Sequence, residues 1–343
     1  MAYVLIIRLS AIGDVAMTIP IIYSAAKANP QHSFTVLTQA FLIPVFINRP
    51  PNVEIIGINT FGSEKTLRGI TRFARGFSKY DYDIVLDLHN VIRSIIIRSF
   101  FILKGKKIYV IDKARKERKR LTARKNKVLK QIRPVTERYA DVFRKAGLAY
   151  TETFHSLFDD HAADFRPVEY VTGEKSGKWI GIAPFAKHEG KIYPLYEMEE
   201  IVATLSKWED TTIFLFGAKG KEERILSGWV TEYSNVRSVI GCMSLDSELT
   251  LISQLDVLVS MDSANMHFAS LVGTPVVSVW GATHPYAGFY GYHQKPENAV
   301  QIQLDCRPCS IYGDKPCFRG DWACMTELPP EKIILKINEV LSK

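Results

Sequence analysis

Short apolar runs and longer amphipathic segments alternate along the first half of the chain, break off, and alternate again through the second half. The runs that read as strands are Tyr3–Ile7, Phe34–Leu37, Val53–Ile58, Ile84–Leu88 and Ile108–Ile111. Between them, Asp14–Ala28, Thr66–Lys79 and Val91–Leu103 carry the helical spacing of apolar residues, and a further helix is expected near Val135–Ala146. Strand and helix in strict succession leave little choice of architecture. Parallel strands need a crossover, the helix supplies it, and helices then cover both faces of the sheet. After a polar stretch, Asp159–Lys178, containing "TGEKSGK", the pattern restarts. Strands are expected at Trp179–Ala183, Ile213–Phe216, Val236–Ile240, Val257–Ser260 and Val276–Trp280. Helices are expected at Leu195–Lys207, Lys221–Glu232, Asp246–Gln254 and Ser263–Val272, and a last one, Glu331–Leu341, starts behind "LPP".

The reading is therefore α/β, with two doubly wound, Rossmann-like domains facing a central cleft. The N-terminal domain is expected over residues 1–160, a linker over 161–178, and the C-terminal domain over 179–330. The helix in 331–343 is expected to pack back on the N-terminal domain. Open parallel sheets bind ligands at the carboxyl ends of their strands, so the loops after the strands are where chemistry is sought.

Composition narrows the class. With 343 residues, 47% of them hydrophobic, there is enough apolar material for two cores. The longest suspicious run, "SIIIRSFFIL" (Ser94–Leu103), is too short to span a bilayer and carries Arg98. The N-terminus reads as a first strand rather than a targeting segment, so a cytoplasmic protein is expected. The net charge of +8 is concentrated: Lys104–Arg133 holds fourteen Lys/Arg against Asp112 and Glu117, or +12, which leaves −4 for the rest. Such a segment suits phosphates on a lipid headgroup, a nucleic acid or an anionic glycan; equally, it is a solvated helix or loop with no ligand.

Three loops follow strands and carry reactive groups. In "RLSAIGD", Gly13 permits a tight turn and Asp14 opens a helix, either as an N-cap or as a general base at a cleft mouth. In "GIAPFAKHEGKIYP", Lys187, His188 and Lys191 precede a helix. A lysine there is a surface residue or the counter-charge of a diphosphate leaving group. In "SMDSANMHFASLVGTPVVSVWGATHP", Asp262 and Ser263 lead into a helix whose first-turn N–H groups suit a phosphate. His267 lies one turn along, and Gly281 and Pro285 shape the next loop.

Cys306, Cys309, Cys317 and Cys324 follow the pattern C-x2-C-x7-C-x6-C. Four thiolates can hold a structural zinc, although the x7 spacing is short for a zinc ribbon; the alternative is reduced thiols packed in a loop. Cys242 is expected to be a buried small residue.

Taken together, "RLSAIGDVAMTIP", "K-x-Y-P" at Lys191–Pro194, "FGAKGKEE" at Phe216–Glu223, "DSANMHFASLVGTPVVSVWG" at Asp262–Gly281 and the late "LDCRPCSIYGDKPC" resemble the family 9 glycosyltransferases. These are the ADP-heptose:lipopolysaccharide heptosyltransferases, and the resemblance spans nearly the whole chain. It implies a GT-B fold and inverting transfer of a heptose from ADP-L-glycero-D-manno-heptose to the Kdo/heptose inner core. The donor would bind mainly the C-terminal domain and the acceptor the N-terminal one. By this resemblance Asp14 is the catalytic base. Lys191, Asp262, Ser263, Ala264 and His267 attend the donor diphosphate, Glu222 or Glu223 the ribose, and Met243 the adenine. Ser10, Gly13 and Gly217 join the donor set. The acceptor carries phosphates and carboxylates at the inner face of the cytoplasmic membrane, where Arg115, Lys116, Arg118, Lys119, Arg120 and Arg124 can dock it. No cofactor beyond the ADP-sugar substrate is required, with zinc on the cysteines as an option. The chain departs from many family members at Ala264, where they have Gly, and at Tyr193, where they have Trp; both positions are expected near the donor.

Three other readings compete with this one. The donor can be another nucleotide sugar, or the chain can bind nucleotide or lipopolysaccharide without transfer. A nucleic-acid binder draws only on the basic segment, which has no interleaved aromatic stacking pattern.

Overall fold

The computed structural model describes residues 1–343. Contacts divide the chain into two compact units, residues 1–113 with 135–161, and residues 114–134 with 162–343. The strands are β1 (Tyr3–Ile7), β2 (Ser33–Gln39), β3 (Val53–Ile58), β4 (Ile84–Asp87), β5 (Lys107–Val110), β6 (Lys178–Ala183), β7 (Thr211–Leu215), β8 (Val236–Ser238), β9 (Val257–Met261), β10 (Val276–Val279) and β11 (Ala299–Val300).

In the first unit all five strands are parallel in the order β3-β2-β1-β4-β5. Ile7 lies opposite both Leu37 and Asp87, so β1 and β4 end level with one another while β2 runs on to Gln39. The chain leaves β1 toward β2 and β3 on one side and returns to β4 and β5 on the other. The gap beyond β1 and β4 is thus the switch point, where a doubly wound sheet opens a crevice. Leu5, Ile7, Leu37, Val85, Ile97 and Phe101 are buried together on one face.

The second unit repeats the scheme with the order β11-β10-β9-β6-β7-β8, again all parallel. Its switch point lies between β6 and β9, where Ala183 pairs with Ser260. Ile182, Val202, Leu215, Val259 and Val279 are among its core side chains.

Several expectations change. The helix expected over Asp14–Ala28 is two helices, Ile12–Ala16 and Ile19–Ala28. Pro20 has no N–H to continue the first, but it fits the opening turn of the second. The stretch expected as a linker contains a helix, Arg166–Thr172, with Val168 and Thr172 buried. The basic segment forms a helix over Arg115–Leu121 and groups with the second unit. The C-terminal helix, Pro330–Leu341, does not go to the N-terminal domain. Its Ile333 and Ile337 are fully buried in the second unit's core.

Candidate active site

At the first switch point, β1 delivers Arg8 into a loop that ends in the helix Ile12–Ala16. Arg8 is buried: its Nη1 donates to the Leu88 carbonyl at 2.7 Å, and its Nη2 meets Asp14 Oδ2 at 2.8 Å. The Ala11 N–H also donates to Oδ2, at 3.3 Å. Asp14 is therefore not the N-cap; Ala11 is, and Asp14 reaches back to it from the third helical position. Both contacts fall on Oδ2, which leaves Oδ1 without either of them. The side chain is 21% exposed. Ser10 and Gly13 belong to this same turn.

The neighbouring loop, after β4, braces the first. Buried Asp87 accepts from the N–H groups of His89 (2.9 Å) and Asn90 (2.7 Å) and from Arg98 Nη1 (2.6 Å). His89 Nδ1 accepts from the Leu9 N–H at 3.4 Å. Burial, reinforced by the charges of Arg8, Lys113 and Arg93, pushes the His89 pKa down to about 2, so the ring stays neutral.

At the second switch point, β6 leads to a turn, Glu189–Lys191, and β9 to Asp262 and the helix Ala264–Leu271. Lys191 Nζ meets Asp262 Oδ2 at 2.8 Å, and the Thr283 hydroxyl donates to the same oxygen at 2.8 Å. Asp262 thus holds the ammonium with its side chain and is no anion ligand itself. The groups of this turn that suit an anion are Lys191 and the N–H groups behind Ser263, which immediately precedes the helix. Ser263, Ala264 and Asn265 are half-buried, and His267 is buried one turn further on.

Two glycines keep this region tight. A Cβ at Gly313 would stand 2.6 Å from the Lys191 side chain, and one at Gly281 would stand 2.7 Å from the Gly190 carbonyl oxygen. Arg307, which sequence reasoning missed, fastens the Thr283 loop. Its guanidinium donates to the carbonyls of Gly281 (2.5 Å), Trp280 (3.0 Å), Thr283 (3.0 Å) and Ile302, and to Gln301 Oε1 (2.9 Å).

The remaining donor candidates lie beyond β7 and β8 in the same unit. Glu222 Oε2 accepts from the Ala218 N–H at 2.7 Å and Glu223 Oε2 from the Gly220 N–H at 3.1 Å, so both acids close the turn that contains Gly217. Met243 is half-buried in the turn after β8.

Other expectations are corrected. Tyr193 is fully buried and donates to the Leu328 carbonyl at 2.6 Å; it is a core residue. Cys242 is exposed. Arg118 turns inward: its guanidinium lies 4.8 Å from the Phe289 ring, and its Nη1 donates to the Tyr312 hydroxyl at 2.7 Å. Arg124 lies 4.8 Å over Phe318. Arg115, Lys116, Lys119 and Arg120 remain exposed. The cysteines are free thiols, and no three His, Cys, Asp or Glu side chains are gathered as a metal site requires. Cys324 is buried, and burial pushes its thiol up to about 12. A groove of about 430 Å³ lined by Ile56, Arg72, Phe73 and Tyr80 contains none of the expected site residues.

Two all-parallel, doubly wound units with polar loops at both switch points are the architecture of the GT-B fold. Solved structures agree on the fold. A family 9 glycosyl transferase from Veillonella parvula matches with a TM-score of 0.76 at 16% identity, over 99% of this chain and 97% of that one. E. coli heptosyltransferase WaaC, with ADP-2-deoxy-2-fluoro heptose, matches with a TM-score of 0.64 at 19% identity, over 91% and 97%. The lipopolysaccharide heptosyltransferase 1 of Pseudomonas aeruginosa is 22% identical over 98% of each chain. Residues 70–316 match the model of glycosyltransferase family 9 (heptosyltransferase), and the chain belongs to that family. No helix is long and apolar enough to cross a membrane.

Proposed function

We propose that this enzyme transfers a heptose from ADP-L-glycero-D-manno-heptose to the Kdo/heptose inner core of lipopolysaccharide, with inversion and with Asp14 as general base. The observation that carries the reading is the Asp14 carboxylate. Its Oδ2 is anchored by Arg8 and the Ala11 N–H, so Oδ1 is oriented to take a proton. The names of the relatives and the ADP-sugar held by E. coli WaaC support the choice of donor and acceptor class.

In the proposed step an acceptor hydroxyl oxygen attacks the anomeric carbon as its proton passes to Asp14 Oδ1. The bond from that carbon to the β-phosphate oxygen breaks, and ADP leaves with the electron pair. Its negative charge is met by the Lys191 ammonium and by the N–H groups at the start of the helix Ala264–Leu271. One base and one supported leaving group suffice for a single displacement, and a single displacement inverts the centre. His267, Glu222 or Glu223, Met243, Ser10, Gly13 and Gly217 complete the donor contacts. The exposed cations Arg115, Lys116, Lys119 and Arg120 attract the anionic acceptor at the inner membrane surface.

The test is incubation with ADP-, UDP- and GDP-sugars against truncated lipid A acceptors, with products read by mass. A heptose adduct formed only from ADP-heptose supports the reading. Transfer from another nucleotide sugar alone moves the donor assignment, and no adduct from any pair rejects transfer.

A further inference from the structure

The N-terminal unit exposes a group of large apolar side chains at one end of its sheet. Phe41 follows β2, Phe61 and Leu67 follow β3, and Ile92 and Ile95 follow β4. Phe61 is 74% exposed, Ile92 66% and Leu67 59%. These strands are all parallel, so the segments leaving their carboxyl ends share one rim. Two contacts join them. The rings of Phe41 and Phe61 have centroids 6.2 Å apart, so two exposed aromatics from separate loops form one surface. Arg93 Nη2 reaches the Lys65 carbonyl at 3.4 Å, which ties the start of the helix Ile92–Ile102 to the Phe61–Leu67 loop.

The charge around this patch is net positive. Lys65, Arg68, Arg72 and Arg93 are exposed beside it. Between Asn59 and Tyr80 the sole acid is Glu64, and its carboxylate already accepts from the Asn59 N–H and the Ser63 hydroxyl. Solvated apolar residues of this size, gathered and bordered by an excess of cations, match a surface with a hydrocarbon interior and anionic heads. A second copy of the chain fits less well, because a two-fold contact would set the same cations against one another.

We propose that this rim docks the protein on the surface of an anionic phospholipid bilayer. Phe61, Leu67 and Ile92 enter the headgroup region, and Lys65, Arg68 and Arg93 meet lipid phosphates. The consequence for turnover rests on the proposed use of a lipid-borne acceptor; the docking itself does not.

The test is co-sedimentation of the full chain with phosphatidylglycerol/phosphatidylcholine vesicles and with pure phosphatidylcholine vesicles. Wild type is expected to bind the anionic vesicles preferentially. F61S/I92S is expected to weaken that binding by about tenfold or more, and K65Q/R68Q by about fivefold per cation. Both variants should keep the wild-type melting temperature and the wild-type rate on a deacylated, water-soluble acceptor, yet lose rate on the same acceptor embedded in vesicles. Absent wild-type binding, or equal binding by wild type and both variants, overturns the proposal. So does a patch variant that turns a dimer into a monomer while vesicle binding stays the same. Vesicle binding that follows these variants, together with no transfer to any acceptor, would leave the docking standing and remove only the heptosyltransferase reading.

Discussion

The two switch points hold their key groups by levers of different length. In the N-terminal unit one buried arginine does the work directly: Arg8 grips Asp14 and the Leu88 carbonyl at once. In the C-terminal unit the cation proposed to meet the leaving group is at the end of a relay. Lys191 is held by Asp262, Asp262 by Thr283, and the Thr283 loop by Arg307. The difference fits the proposed tasks. A base must present one oxygen at a fixed angle to a hydroxyl, so few joints should lie between it and the sheet. A counter-charge for a diphosphate acts over a longer range, and Lys191 can exchange a carboxylate for a phosphate without losing a partner.

The largest effect should come from the short lever. Asp14→Asn keeps the shape but removes the proposed base, and turnover is expected to fall by about 10² to 10⁴. ADP affinity, measured by calorimetry, should stay within about fewfold of wild type, since the relay is untouched. Unchanged turnover would reject Asp14 as the base. Lys191→Ala should do the opposite in kind, weakening ADP binding by about 10- to 100-fold and lowering the rate with it. Wild-type affinity for ADP in that variant would remove Lys191 from the leaving-group site.

The units should also differ in acid. His89 titrates at about 2 in the folded N-terminal unit, against 6.5 unperturbed, so its unfolded form takes up a proton first as pH falls. Between pH 7 and 5 that costs the N-terminal unit about 2 kcal/mol. His284 in the C-terminal unit, lowered to about 4 chiefly by burial, has the same sign over this interval. Glu248, raised to about 7 by burial, has the reverse sign: its folded form gains the proton first, and acidification stabilises by a similar amount. The C-terminal changes nearly cancel, whereas His89 is not offset in this way. Hydrogen exchange, corrected for intrinsic rates, should show protection of β1 and β4 falling at pH 5 while β9 and β10 hold. Equal losses in both sheets would contradict this difference.

The fold was legible because strand spacing and breakers agree along the chain. Val53–Ile58 and Lys221–Glu232 appear with the expected bounds, each bordered by Gly, Pro or polar turns. The loops holding Asp14, Lys191 and Asp262 were legible too, since a parallel α/β sheet sends every loop after a strand to the same edge. What sequence could not show is which way a side chain turns. Tyr193 stands in a loop motif yet fills the core, and Arg118 stands in a run of cations yet stacks on Phe289. Thr283 and Arg307 escaped because they act across 21 and 26 residues, on a carboxylate and on main-chain carbonyls, which leave no local pattern.

The smallest effect tests whether the relay is one. Thr283→Val is nearly isosteric and removes only the hydroxyl that donates to Asp262 Oδ2. If Asp262 is positioned from behind, its hold on Lys191 loosens, and ADP affinity should fall by about fivefold, less than the full worth of one hydrogen bond to a charged group because the effect reaches the donor indirectly. Thermal stability should drop only slightly, because Arg307 still fastens the loop through main-chain atoms. Two double variants decide the matter. A relay predicts that Thr283→Val adds little once Lys191 is gone, since its effect passes through that ammonium. Full additivity in the double variant would mean that Thr283 acts on the donor by another route. The same cycle with Asp14→Asn in place of Lys191→Ala should be additive for turnover, because nothing in the N-terminal lever depends on the Thr283 hydroxyl.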